Sequence, residues 1–380
     1  MKINIYGTGI NAVKFLLDNR NVEVNAFIEG KSDRTRFMEG LSAVSKEVIR
    51  IESAGQTLRK HHTVIASSEA AYWEIKRTLE EQYNLTEFED FTYYKLFGKK
   101  IAVIYGNCHT IPVKEAVQLS KDFSMEYGFY PLRAICDIKS HNGEGLYSKV
   151  FERCDLFIHQ CVREKNFYGP EYASSLIIRK LKPDCKIIGI PNVYRQPRFL
   201  YPQMKSYDNQ ICWEGYNVFP FRDFYIDQNY KELSVHELAD MILDDSLISA
   251  DEIINQKDIF FEKIRLREQE WDIKILDFLY KNLRYKQLFY DPNHPTDQIS
   301  IYVARRVLTI LGYSSEGMDY SGIYKLDTFE IPIYASVRKA LNIEYKVDIL
   351  RKYNKCSLND VQMDLLEYIR QYIEWNYPNA

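Results

Sequence analysis

No window of about 18 consecutive apolar residues occurs in the 380-residue sequence, so no membrane-spanning helix is predicted. No CxxC pair occurs either. The seven cysteines, at 108, 136, 154, 161, 185, 212 and 356, are odd in number and scattered. That pattern argues against a disulfide framework or a zinc knuckle, and no metal site is read from it; it fits reduced thiols in the cytoplasm. A basic excess is also missing. Fifty Lys and Arg stand against 53 Asp and Glu, for a net charge of −3, which leaves no global field to hold a nucleic-acid backbone. The first residues lack a long apolar stretch and a small-residue cleavage site, and are not read as a signal peptide. Internal repeats and low-complexity stretches are absent. What is present is ordinary for a globular chain, at 46% apolar and 27% charged residues. That is enough apolar surface to exclude disorder of the whole chain. The 30 Tyr suit stacking surfaces for sugars or nucleobases, and equally a Tyr-rich core. At roughly 100–200 residues per domain, the length predicts two or three domains.

Residues 1–97 read as a small Rossmann-like domain. Residues 2–6 alternate as a strand, Gly7-Thr8-Gly9-Ile10-Asn11-Ala12 follows, and a helical run continues to Leu17. A second strand from Val22 to Ile28 ends at Glu29. This is a GxGxxA turn with an acid 20 residues past Gly9, as in a dinucleotide-binding fingerprint. Gly7 and Gly9 would permit the tight turn and a close approach to pyrophosphate, and Glu29 would meet a ribose. The segment is only half the size of a full dinucleotide domain, so NAD or a nucleotide sugar competes with a fold that has lost its ligand. Thr63–Ala66 reads as a further strand and 71–83 as a helix.

Residues 98–312 read as a doubly wound domain. Strands are predicted at 101–105, 155–159 and 186–190, with a helix running to about Ser120. Alternating strands and helices imply a parallel sheet covered on both faces, and ligands there sit at the carboxyl ends of strands. Cys108, Gln160 and Asn192 each lie just past such an end. From about 230 to 287 a helical insertion is predicted, with capping boxes at Ser234/Glu237 and Ser249/Glu252 and one long helix over about 250–285. Another helix follows Pro295 and ends near Gly312. Residues 313–380 read as a helical region. Its tail, Ser357–Trp375, carries Val361, Leu365, Leu366, Ile369 and Ile373 at helical spacing, for packing or self-association in a homo-oligomer.

Cys108 is the centre of the chemistry. A thiol where a helix begins meets free N–H groups and the positive end of the dipole, which favour thiolate and can hold an oxyanion. His109 follows it directly. A nucleophile also needs a base. Asp291-Pro292-Asn293-His294-Pro295-Thr296 offers His294 as that base, with Asp291 within one turn to orient the imidazole.

Gly106-Asn107-Cys108 resembles the Gly-Asp-Ser nucleophile turn of the SGNH/GDSL hydrolase fold, and Asp291-x-x-His294 resembles its last block. One branch is closer. Tyr105 to His109, Ile158-His159-Gln160, Ile190-Pro191-Asn192, Leu266-Arg267-Glu268 with Asp272, and Leu288-Phe289-Tyr290 leading to Asn293-His294-Pro295 resemble the WcbI-type family over about 100–312. The resemblance implies an acetyltransferase of capsular polysaccharide biosynthesis that moves an acetyl group from coenzyme A to a sugar or polysaccharide hydroxyl. It makes Cys108 the nucleophile, or places it beside the thioester, with His294 as base and Asp291 as its orienter. Asn107, His109, Gln160, Asn192 and Asn293 would shape the pocket. Coenzyme A needs cations for its phosphates, and Arg163 and Arg195, following two of the strand ends, are the candidates. Two other classes stay open. One is an SGNH-like esterase or deacetylase on the same polymer; the other is a non-enzymatic module that binds a nucleotide sugar through residues 1–97.

Overall fold

The computed structural model describes residues 2–30, 48–193 except 142, 144 and 147, 197–206, 222–326, 330–345, 350–352 and 361–377. Five strands form the first sheet: β1 (Lys2–Tyr6), β2 (Glu23–Glu29), β3 (Val48–Arg50), β4 (Thr63–Ile65) and β5 (Phe91–Tyr93), in the order β3-β2-β1-β4-β5. Every adjacent pair in it is parallel. Parallel pairing needs crossovers, and α1 (Ile10–Asp18), α2 (Gly55–Lys60) and α3 (Glu69–Tyr83) lie between the strands in sequence. Buried on both faces, β1 reads as a near-continuous apolar run. Its Ile3 and Ile5 share a core with Phe15, Phe27 and Val64.

The glycines of the first turn differ. Gly7 has φ +115°, and a Cβ there would stand 2.8 Å from the Ala66 carbonyl oxygen. At Gly9 nothing lies within 4 Å of an added Cβ. Glu29, the acid that the fingerprint reserves for a ribose, is buried and accepts a 2.6 Å hydrogen bond from the Thr8 hydroxyl. Gly7→Ala is therefore expected to cost about 1–3 kcal/mol of stability, as a left-handed non-glycine position does, while Gly9→Ala costs about 1 kcal/mol or less. Urea unfolding of the two variants checks this. Equal losses would mean that Gly7 is not held by its backbone angle and the Ala66 carbonyl.

The second sheet has four strands: β6 (Lys100–Tyr105), β7 (Tyr127–Phe129), β8 (Leu156–Gln160) and β9 (Lys186–Ile190), in the order β7-β6-β8-β9. β6 and β7 are parallel. The strands followed by Cys108, Gln160 and Asn192 are thus neighbours in the sheet. The helix α4 (Thr110–Gln118) begins directly after the Cys108 turn.

The chain clusters into two compact units. One comprises Met1–Tyr105, Lys121–Ile158 and Ser175–Ile187; the other comprises Gly106–Ser120, His159–Ser174 and Ile188–Ala380. The turns after β6, β8 and β9 all belong to the second unit. Within it α4 packs along the helix Asp297–Leu311, which ends at Gly312 in the left-handed conformation.

Three helical expectations are corrected. The stretch 250–285 is two helices, Ala250–Arg267 and Leu276–Asn282, separated by a short 3-10 turn and residues 271–275. There Trp271, Ile273 and Ile275 turn inward, Asp272 accepts from the Gly189 N–H at 2.6 Å, and the Glu268 carboxylate accepts from the Ile275 and Leu276 N–H groups. These bonds outweigh continuation of the helix. Ser234 and Glu237 form their capping box, whereas Ser249 makes no side-chain cap. In the tail, Val361 lies in a strand, Val361–Met363, paired antiparallel with Leu350–Lys352. The final helix is Leu365–Asn376, capped by Asp364; it buries Tyr368, Ile369 and Tyr372, so its aromatic residues carry the inner face. The region from 313 on is therefore not wholly helical. Ser357 lies outside the described residues.

Candidate active site

Gly106 has no side chain because Gln160 comes close to it. A Cβ at 106 would stand 2.5 Å from Gln160 Oε1 and 2.6 Å from Thr110 Cγ2. The Asn107 N–H donates to Gln160 Oε1 at 2.9 Å, which joins the turn after β6 to the end of β8. Asn107 Oδ1 accepts from the His109 N–H at 3.0 Å, and its carbonyl accepts from the Thr110 hydroxyl at 2.8 Å. These bonds start α4 and leave Cys108 half-buried at its mouth. Asn107 thus shapes the turn with its own backbone and side chain.

The second block is a tight loop. Phe289 and Pro295 pair as an antiparallel bridge, and the Tyr290 N–H donates to the His294 carbonyl at 3.0 Å. Asp291 is buried and uses both oxygens. Oδ1 accepts from the N–H groups of Asn293 (2.6 Å) and His294 (2.9 Å), and Oδ2 meets His294 Nδ1 at 2.7 Å. The Cys108 side chain lies close enough to His294 to help raise its pKa. With Nδ1 taken by Asp291, Nε2 is the nitrogen left for the sulfur. Imidazole and carboxylate are therefore in direct contact, with the sulfur in their neighbourhood.

His109 joins the two blocks. Its Nε2 lies 2.7 Å from the Asn293 carbonyl, and its ring centroid is 6.2 Å from that of His294. The two imidazoles titrate in opposite directions. Burial works against a charge on His294, but the Asp291 carboxylate and the Cys108 sulfur outweigh it and raise its pKa to about 10. Burial and the neighbouring charge of His294 push His109 down to about 3, against a smaller opposing effect of the Asn293 carbonyl. Linkage gives the sign. Stability from His294 is full below its unfolded pKa, about 6.5, and is lost as pH rises through about 10. For His109 the folded state refuses a proton that the unfolded chain takes, so stability is lost as pH falls from about 6.5 towards 3. Their joint contribution peaks near pH 6.5. Melting temperature against pH is expected to fall less steeply on the acid side in His109→Asn and on the alkaline side in His294→Asn. Unchanged slopes would show that other groups set the profile.

Gln160 is 1% exposed. Its Oε1 is taken by Asn107, and its Nε2 has no hydrogen-bond partner among the described residues. Its backbone is set by Ser174, whose hydroxyl donates to the Gln160 carbonyl at 2.7 Å and accepts from the Val162 N–H at 3.0 Å. Ser174 sits in no motif, so only the fold shows this role. Gln160 and His109 line a small cavity together with aliphatic residues of α4, β9 and the helix Asp297–Leu311. Asn192 lies between two of its lining residues, Pro191 and Val193.

The other sequence candidates fare differently. Arg163 is exposed and forked onto Glu270, with Nε at 3.3 Å, so its guanidinium is already engaged. Arg195 lies outside the described residues. Gly7, Gly9 and Glu29 belong to the other unit. Among the described residues no group of three or more His, Cys, Asp or Glu is arranged for a metal ion, and no helix is long and apolar enough to cross a membrane.

A thiol in the turn after a sheet strand, near an imidazole that a buried carboxylate holds, has the construction of an enzyme site. The family model described as polysaccharide biosynthesis enzyme WcbI matches residues 101–316, more than half of the chain, which therefore belongs to the WcbI family of polysaccharide biosynthesis enzymes. A solved structure of WcbI, described as a novel polysaccharide biosynthesis enzyme in its native form without a disulfide bond between coenzyme A and one of its cysteines, has the same fold. It superposes with a TM-score of 0.56 at 18% identity, over 74% of this chain and 91% of that one. No curated protein matches the chain.

Proposed function

We propose that this protein transfers an acetyl group from a coenzyme A thioester to a sugar hydroxyl during synthesis of a capsular or other surface polysaccharide. The nearness of Cys108 to His294, itself held by Asp291, carries this reading. The name of the solved relative adds support, since it speaks of coenzyme A and a cysteine of that protein. The residues fit a thioester: the half-buried thiol follows Asn107, which Gln160 holds through Oε1, and the buried Gln160 Nε2 has no hydrogen-bond partner among the described residues. The catalytic part is read as an SGNH-like domain over 98–312, between the Rossmann-like segment 1–97 and the region 313–380.

The thiol of Cys108 gives its proton to His294, and the sulfur attacks the thioester carbonyl. A charged imidazole at this place favours negative sulfur. The carbonyl oxygen gains charge and accepts from Gln160 Nε2, a donor in a water-poor site where such bonds count most. The bond to coenzyme A breaks and its thiolate leaves with the proton from His294. The sugar hydroxyl then attacks the acyl–Cys108 carbonyl, giving its proton to His294, and Cys108 is released. Asp291 keeps the ring in place throughout. Phosphate binding is not assigned to Arg163, since Glu270 competes for it.

Ligand binding tests this first. A ligand that binds the folded state alone raises the melting temperature by mass action. Coenzyme A and acetyl-CoA are expected to raise it, and NAD and UDP-sugars are not. A shift with a nucleotide sugar and none with coenzyme A would move function to residues 1–97. Hydrolysis of an acetyl ester without coenzyme A would instead make the site an esterase.

A further inference from the structure

We infer that the cavity beside Gln160 seats the alkyl end of the transferred group and limits that group to about two carbons. The inference rests on the acyl-transfer reading and deepens it. Three observations carry it. First, the walls are aliphatic and come from separate elements: Val113 from α4, Ile190 at the end of β9, Val193 after it, and Ile299 and Val303 from the helix Asp297–Leu311. All five are buried, and with Pro191 and Pro295 they make the wall chiefly apolar, interrupted by Ser300 and His109. Second, of the polar residues that line it, Gln160 brings a side-chain Nε2 that is buried and without a partner among the described residues. A buried donor of that kind costs about 1–3 kcal/mol unless an acceptor meets it. An acyl carbonyl meets it and directs the attached alkyl group towards the aliphatic walls. Third, the free space accommodates about one water-sized body. That suits a methyl group, while a longer chain would have to displace packed side chains.

Val113 and Val303 stand on α4 and on the helix Asp297–Leu311, which pack against each other. The spacing of these helices therefore sets the depth of the cavity. Valine and isoleucine are stiff at χ1, which makes such a wall unyielding. Each methylene that does not fit is worth roughly 10–200-fold in discrimination.

The test is release of coenzyme A from acetyl-, butyryl- and hexanoyl-CoA, followed by thiol titration, in the full chain. The unmodified protein is expected to prefer acetyl over butyryl by at least about tenfold. Ile299→Ala with Val303→Ala is expected to raise butyryl turnover relative to acetyl by about tenfold or more, with coenzyme A still raising the melting temperature. Val303→Phe fills the space and is expected to cut acetyl turnover while that melting shift persists. Urea unfolding confirms that each variant is folded, and Val303→Ala alone replaces the pair if the double variant is not. Unchanged chain-length preference in folded, active variants would overturn the cavity's role and leave acyl transfer standing. No release of coenzyme A from any thioester by the unmodified protein, together with no melting shift from coenzyme A or acetyl-CoA, would overturn both.

Discussion

His294→Ala is expected to lower kcat/KM for acyl transfer by roughly 10²–10⁴-fold, the range for loss of a positioned acid–base group. The melting shift with coenzyme A should persist, because the loss is in proton transfer. The pH profile of the unmodified protein carries further information. With the pKa of His294 raised to about 10, a mechanism that needs neutral imidazole as base would gain roughly tenfold per pH unit from 7 towards 10. A mechanism that starts from protonated His294 beside negative sulfur would run level over that range and fall above about 10. Asp291→Asn should move the break downward, since the carboxylate is the main group raising it. A break that stays in place in that variant would mean that another group titrates.

The second large effect belongs to Cys108. If the acyl group passes through the sulfur, Cys108→Ala leaves only what binding and Gln160 provide, a loss of about 10³-fold or more. Intact-mass measurement of the unmodified protein after acetyl-CoA without acceptor should then show one acetyl group, absent in Cys108→Ala. Cys108→Ser keeps an oxygen nucleophile within reach of His294 and should retain part of the activity. Near-full transfer by Cys108→Ala, with His294→Ala inactive, would instead mean that the sugar hydroxyl attacks the thioester directly under His294 as base.

The sequence was most legible where one residue type answers one physical demand. Gly7 is required by a positive φ and the Ala66 carbonyl, and Gly106 by the approach of Gln160, so both stood out as turn glycines. Alternation and apolar runs located β1, β2, β6, β8 and β9 to within about a residue. The three-residue strands β3, β5 and β7 were not seen. Each is too short to show a period, and each lies at an edge of its sheet. The break at 271–275 was hidden for a related reason. It is fixed by Gly189, some 80 residues away, through Asp272. In the candidate site, Cys108, Asp291 and His294 were legible as a group because a cysteine at the start of a helix and an Asp-x-x-His block stand out in sequence. Ser174 and the aliphatic cavity were not, because serine and valine are common and only the fold gathers them. Arg163 shows the reverse: its position past a strand end suggested phosphate, but Glu270, more than 100 residues on, is its partner.

The 2.7 Å contact from His109 to the Asn293 carbonyl links residues 184 positions apart. On a ribosome adding about 5–20 residues per second, roughly 10–40 s separate the two ends of that bond. During that interval Cys108 exists without its imidazole, its carboxylate or the helix that completes the cavity wall. The nascent chain therefore carries the Cys108 turn alone, and the candidate site is complete only when the residues around 290 close onto it.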